Sequence, residues 1–329
     1  RLGNRKTLAH IVEAFHKNDI KVIFDAVFNH TGRDFWAFRD VLQKGSYSYY
    51  CHWYQDLKFG KRSPFGDPFT YKSWKGHYSL PKLNLKNPYV KEHLFKAVEM
   101  WVNELGCDGL RLDAADCLKV GFIRDLKKYT KKLHKDFWLM GEIVHGNYNK
   151  RLNEKMLDSV TNYQCHHELI TSFNKKNFSE VAVAFNRQFG HHGIYKKLKL
   201  YNFVDNHDIN RSASIIKNQA HLYPMYALLF TMPGIPSLYY GSEWAIKGKK
   251  NKWSDQALRP NINLGDSNKN KELAQAINKF SLIRKTSSAL LHGEYLELHV
   301  GNEHFAFARM TNNEYVIIIL NSSDKPKSL

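Results

Sequence analysis

Along the chain, short and almost continuous apolar runs alternate with longer stretches in which apolar residues return every three or four positions. Thr7 to Asn18 (TLAHIVEAFHKN) places Leu8, Ile11, Val12 and Phe15 at helical spacing. IKVIFDAVFNH (20–30) follows, apolar nearly throughout, and predicts a buried parallel strand. Residues 88–105 predict an amphipathic helix, with Pro88 near its start and Gly106 just past its end. DGLRLDAAD (108–116) predicts a strand, about 119–134 a helix, and FWLMGEI (137–143) another strand. MLDSVTN (156–162) and LYNFVDN (200–206) read as strands, with helical material around 167–187 between them. A helix at about 219–231, the strand IPSLYYG (235–241) and a helix at about 271–285 complete the series. Such alternation predicts a parallel sheet of βαβ units.

The polar residues of chemical interest fall at the C-terminal ends of these strands: Asn29 and His30, Asp113, Glu142, Asp208 and Glu243. A closed barrel builds its site at that face, from several different strand ends. An open sheet would gather its site at one switch point, with a glycine-rich phosphate loop that this chain lacks. Asp113 to Glu142 is 29 residues, about one βα unit, and Glu142 to Asp208 is 66, about two. The expected fold is therefore an α/β chain of the (β/α)8 TIM-barrel type. Only six strands precede residue 245 where a closed barrel needs eight, so the first two βα units are expected to be missing from this chain. The chain opens on RLGNRKT without a methionine, which also suggests a start within a domain. Four segments are expected. Residues 1–30 carry the second helix and third strand, 31–87 a loop-rich insertion, 88–287 the rest of the barrel, and 288–329 the start of a C-terminal β-sandwich. In that last segment GEYLELHV, HFAFARM and EYVIIILN alternate apolar and polar residues as an antiparallel meander that stops early.

Composition changes this picture little. Hydrophobic residues make up 43% of the 329 and aromatic residues 14%, which excludes a disordered chain. The net charge of +18 is what a nucleic-acid or anionic-surface binder would carry. The lysines, however, are spread thinly, in short runs such as Lys127-Lys128, Lys131-Lys132 and Lys247 to Lys252, and no nucleic-acid motif accompanies them. A lysine-rich solvated exterior is the favoured reading, with neither nucleic acid nor membrane as partner. No apolar run reaches membrane-spanning length. Cys51, Cys107, Cys117 and Cys165 show no CxxC or metal-ligand spacing and suit a reducing, cytoplasmic setting. The pairs His166-His167 and His191-His192 have no carboxylate or cysteine at ligand spacing and read as exposed histidines, so no metal is expected.

In LRLDAAD, a strand period of two puts Arg111 and Asp113 on one face. A guanidinium beside a carboxylate favours its ionised form, which a carboxylate nucleophile needs; an ordinary buried ion pair would look the same. Glu142 ends an apolar strand, a setting that suits a general acid and equally a glutamate facing water. FVDNHD brings His207 and Asp208 to another strand end, as a sugar-holding carboxylate, a turn or a metal site. FDAVFNH sets Asp25 and Asn29 on one face, with His30 just beyond. Phe65, Phe69, Trp74 and Tyr78 in the insertion are stacking platforms for sugar rings or packing residues, and Trp253, after the last strand, shapes a substrate cleft or simply packs.

Taken together, FDAVFNH (24–30), GLRLDAAD (109–116), GEIV (141–144) and FVDNHD (203–208) resemble the four conserved stretches of the α-amylase superfamily, glycoside hydrolase family thirteen. RLG at 1–3, LPKLN at 80–84 and PGIPSLYYGSE at 233–243 extend the resemblance over nearly the whole chain. It implies a retaining hydrolase with Asp113 as nucleophile, Glu142 as acid/base and Asp208 as transition-state stabiliser. It implies further that Arg111 orients Asp113, that His30 and His207 contact the sugar, and that Asn29, Lys82, Trp74 and Tyr78 belong to the substrate surroundings. No cofactor is implied. Asn29 matches a calcium-ligating position of many α-amylases, but related oligosaccharide-acting enzymes often manage without the ion, and calcium is not expected. LPKLN is similar to the MPKLN form of the neopullulanase, cyclomaltodextrinase and maltodextrin glucosidase group, with Leu80 in place of methionine. Ala114 and Ala115 depart from the Thr-Val of typical α-amylases. The implied substrates are maltodextrins or cyclodextrins with α-1,4, or α-1,6, bonds, and a homodimer is left open. A transglycosylase would use the same residues; a non-catalytic scaffold or binding barrel would usually have lost one of the three acids.

Overall fold

The computed structural model describes residues 3–263, 265 and 270–327, so Arg1 and Leu2 of the RLG motif lie outside the described residues. The chain divides into two compact units, Arg1–Val160 and Thr161–Leu329.

The first unit begins with α1 (Arg5–His16), whose N-cap Asn4 accepts the Thr7 N–H at 3.0 Å. β1 (Ile23–Ala26) follows, and then the insertion, with α2 (Trp36–Lys44), β2 (Lys58–Phe59), β3 (Phe69–Thr70), β4 (Ser73–Trp74) and β5 (His77–Pro81). The insertion, expected to be loop-rich, carries short strands and a small core of its own. β2–β3 and β4–β5 pair antiparallel, and Phe38 packs between Tyr54, Phe69 and Tyr71. Arg33 closes this small core with a two-pronged bond to Asp67, 2.8 Å on each arm.

α3 (Pro88–Leu105) runs as predicted. Asn87 caps it, and Gly106 ends it in the left-handed conformation at φ 69°. β6 (Gly109–Leu112), α4 (Val120–Leu133), β7 (Trp138–Gly141) and β8 (Ser159–Val160) complete the unit. The sheet runs β1-β6-β7-β8, all parallel, with Asp25 opposite Arg111 and Leu112 opposite Gly141. Phe24 and Phe28 point away from the Asp25 side and pack on Trp101 of α3, at 6.1 and 6.2 Å between ring centroids.

One expectation changes here. IKVIFDAVFNH does not form a strand buried on both faces: Ile23 and Val27 remain 41% and 46% exposed. β1 has β6 on one side and, among the described residues, no strand on the other. Likewise Leu8, Ile11 and Phe15 of α1 are exposed and only Val12 is buried. Helical spacing fixes the helix but not what covers its apolar stripe.

The second unit contains α5 (Tyr163–Lys175), α6 (Ser179–Phe189), β9 (Tyr201–Asn202), α7 (Ser212–Ile215), α8 (Leu222–Thr231), β10 (Ile235–Pro236), α9 (Lys271–Thr286) and α10 (Ser288–His292). The helical stretch expected around 167–187 is two helices, broken at Lys176 with φ 50°. β9 and β10 pair in parallel, and Thr161 bridges to Tyr201 in the same sense. The strand expected over 235–241 is only two residues long, Ile235–Pro236. β11 (Glu294–Val300), β12 (His304–Met310) and β13 (Tyr315–Asn321) form the predicted antiparallel meander. Its Phe305 and Phe307 pack on Phe185 of α6, and buried Arg309 bonds the carbonyls of Thr231 and Gly293 at 2.8 Å each. His166 is not the exposed residue predicted. It stacks on Phe203, bonds Val204 O at 3.0 Å, and has its pKa lowered by burial. Among the described residues no helix is long and apolar enough to cross a membrane.

Candidate active site

In the first unit, Asp113 and Glu142 each sit one residue past a strand. The ladder carries on to hold them: Asp113 N–H bonds Ala26 O at 3.1 Å and Glu142 N–H bonds Leu112 O at 2.9 Å. Between them Ala114 adopts a left-handed conformation, φ 45°, and aims its N–H at Glu142 Oε2, 3.0 Å away. Arg111 binds three carboxylates. Its Nη1 lies 2.7 and 2.8 Å from the two oxygens of Asp25 and 3.5 Å from Asp113 Oδ1, while its Nη2 lies 3.1 Å from Glu142 Oε2. Burial works against its charge, but Glu142, Asp25 and Asp113 outweigh it and raise the guanidinium pKa. The pairing of Arg111 with Asp113 expected from the strand period is present. Its firmest contacts, however, are to Asp25 and Glu142.

The LPKLN segment reaches the end of β1 through the backbone. His30 and Lys82 form an antiparallel bridge, and Leu83 N–H bonds Asn29 O at 3.0 Å. Asn29 is fully buried, with Nδ2 3.2 Å from His30 Nδ1. Burial, and then the nearby Lys82 charge, lower the His30 pKa, so its ring is neutral at neutral pH. Trp74 stands 5.4 Å from the His30 ring, and Tyr78 packs on Tyr71. A cavity of about 520 Å³ beside His30 is lined by Val27, Phe28, Trp53, His93 and Trp101. Phe69 is no sugar platform: it is wholly buried against Phe38, Phe59 and Tyr71. Phe65 stays exposed with Arg33 4.4 Å from its ring.

In the second unit, Asp208 is held by its neighbours on the β9–α7 loop and by a later one. His207 Nε2 is 3.2 Å and Arg259 Nη2 3.1 Å from its carboxylate, its N–H bonds Asn206 Oδ1 at 2.9 Å, and Lys250 Nζ bonds its carbonyl at 3.1 Å. Beneath this loop lies buried Asp205, which accepts bonds from Ser242 Oγ at 2.9 Å and Ser212 N–H at 2.8 Å. Burial raises the Asp205 pKa against those hydrogen bonds. Arg211, also fully buried, bonds Tyr240 O at 2.6 Å and Leu258 O at 2.8 Å, tying the loops after β9 and β10 together. Sequence reasoning missed Asp205, Arg211, Lys250 and Arg259. Only the charged pair at 205 and 211, flanking an Asn-His-Asp turn, hinted at them. Among the described residues no group of three or more His, Cys, Asp or Glu side chains gathers as a metal site.

Parallel strands linked by helices, with acidic side chains just past their C-terminal ends, define the class of (β/α)-barrel catalytic domains. The family profile described as alpha amylase, catalytic domain, matches residues 1–281, and the chain belongs to that family. It is 30% identical over 331 residues to a cyclomaltodextrinase of Thermoanaerobacter pseudethanolicus, covering 98% of this chain and 56% of the relative. It is 30% identical over 339 residues to neopullulanase 2 of Thermoactinomyces vulgaris, covering all of this chain and 56% of that protein. A solved cyclomaltodextrinase structure superposes with a TM-score of 0.86 at 27% identity, over 97% of this chain and 55% of the other. The chain thus spans about half the length of the curated relatives it matches. Its fold class is the (β/α)8 barrel with a C-terminal β domain.

Proposed function

We propose that the protein is a retaining α-glucoside hydrolase acting on maltodextrins or cyclodextrins, with Asp113 as nucleophile, Glu142 as acid/base and Asp208 as transition-state stabiliser. The observation that carries this reading is the Asp113–Glu142 pair at the ends of adjacent strands, bound to a common guanidinium. Glu142 Oε2 already accepts from Ala114 N–H and faces Arg111, both donors, which leaves Oε1 as the oxygen for the proton when Glu142 acts as the acid. Glu142 gives that proton to the glycosidic oxygen as Asp113 attacks the anomeric carbon and the carbon–oxygen bond breaks. Water, deprotonated by Glu142, then attacks the same carbon and releases Asp113, with net retention. His30, His207, Asn29, Lys82, Trp74 and Tyr78 are assigned to the substrate surroundings.

The name of one relative, a cyclomaltodextrinase, favours small α-glucans. The six parallel strands described here are taken as strands three to eight of the barrel. Residues 31–87 are taken as the insertion after strand three and 288–329 as the start of the C-terminal domain, with 1–30 and 88–287 as barrel. Four unpaired cysteines support a cytoplasmic setting. Proton NMR during maltotriose cleavage tests the proposal. The newly formed reducing end appears first as the α-anomer; immediate β-anomer, or no cleavage of any α-glucan, rejects it.

A further inference from the structure

Trp253, on the loop after β10, is 86% exposed. Proteins bury most of the surface of a tryptophan on average, and an indole in water offers a ring face to a ligand. The loop that presents it is well held. Asn251 Oδ1 accepts the N–H groups of Trp253 and Ser254, each at 2.8 Å, and Lys252 Nζ lies 5.0 Å from the indole centroid. Both ends are fastened to the segment bearing Asp208. On one side Lys250 bonds Asp208 O at 3.1 Å and Asn210 Oδ1 at 2.9 Å. On the other, Arg259 bonds His207 O and Asp208 Oδ1, both at 3.1 Å. Trp253 is three residues from the first fastening, so its Cα lies within about 11 Å of that of Lys250.

We infer that Trp253 is a stacking platform for a glucosyl ring of an α-glucan that extends beyond Asp208, and that it sets the chain length the protein prefers. The inference rests on the reading of Asp208 as part of a glucan site. A pyranose ring turns a face of C–H groups to an aromatic plane and keeps hydroxyls at its rim. Lys252 occupies one side of the indole and supplies a donor for those hydroxyls. A protein partner fits this surface poorly. Lys249, Lys250 and Lys252 on the same loop are exposed, and lysine is depleted from protein–protein interfaces.

The test is calorimetric titration of the full chain carrying Asp113→Asn, which prevents turnover, with maltose and with maltoheptaose. Trp253→Ala and Trp253→Phe are added to that parent, with light scattering to read the oligomeric state. Trp253→Ala is expected to weaken maltoheptaose binding about three- to tenfold and maltose binding by less than about twofold, while Trp253→Phe retains most of the affinity. Equal affinities in parent and Trp253→Ala, equal losses for both sugars, or a change in oligomeric state would each overturn the inference and leave the glucan reading standing. A parent that binds neither sugar removes the glucan reading and the inference with it.

Discussion

Arg111 holds Glu142 more closely than it holds Asp113, at 3.1 Å against 3.5 Å, and a backbone N–H from Ala114 holds the same Glu142 oxygen. A glutamine could keep both contacts through its carbonyl but has no proton to give. Glu142→Gln is therefore expected to slow maltotriose hydrolysis by about 10²–10⁴-fold. It should spare the first step on α-maltosyl fluoride, since fluoride leaves without protonation. A rapid burst of fluoride from the variant is the expected reading; equal losses on both substrates would remove Glu142 from the acid role. The strand-end positions of Asp113 and Glu142 are legible in the sequence, while their roles are implied only by the resemblance of the motifs around them. Asp25 as the strongest partner of Arg111 is not legible, since that pairing depends on a strand register set across the whole insertion. The Ala114 N–H leaves no trace either, because a backbone donor looks alike in every residue.

At the level of elements, α3 was readable end to end, because Pro88 and Gly106 have fixed backbone meanings at its two limits. β1 was not: an apolar run states what is oily, not how many neighbours it will find. Gly106 also sets how closely α1 approaches. A Cβ there would stand 3.2 Å from Val12 Cγ1 and 3.3 Å from His16 Cε1, at φ 69°. Gly106→Ala is expected to cost about 1–2 kcal/mol, most of it from the left-handed backbone. Urea denaturation followed by circular dichroism measures it; an unchanged midpoint would refute the left-handed cost as well as the tight contact with α1.

At the scale of the whole molecule, three histidines among the described residues are held below their ordinary pKa by burial: His30, where Lys82 adds to the effect, His93 and His166. Each takes up a proton more readily when unfolded, so its contribution to stability is complete above the unfolded value of 6.5 and is lost as pH falls through the lowered one. Asp205, raised by burial, acts in the opposite sense above 3.8. The melting temperature should therefore fall more steeply between about pH 7 and 5 in the parent than in His166→Asn. That difference in slope, read by calorimetry, isolates one histidine from the growing positive charge of the whole chain; identical slopes would show that His166 titrates alike in both states.

Asp25 and Arg111 meet although 86 residues separate them, and the His30–Lys82 bridge closes the same excursion from within. The insertion is thus a loop pinched shut at its base by contacts that belong to the barrel strand and its immediate continuation. Closing such a loop costs conformational entropy that grows only with the logarithm of its length, about 0.6 kcal/mol for each doubling. The part of the chain that frames His30 can therefore lengthen or shorten in its exposed turns at small entropic cost, while the two strand ends that present Asp113 and Glu142 keep their spacing.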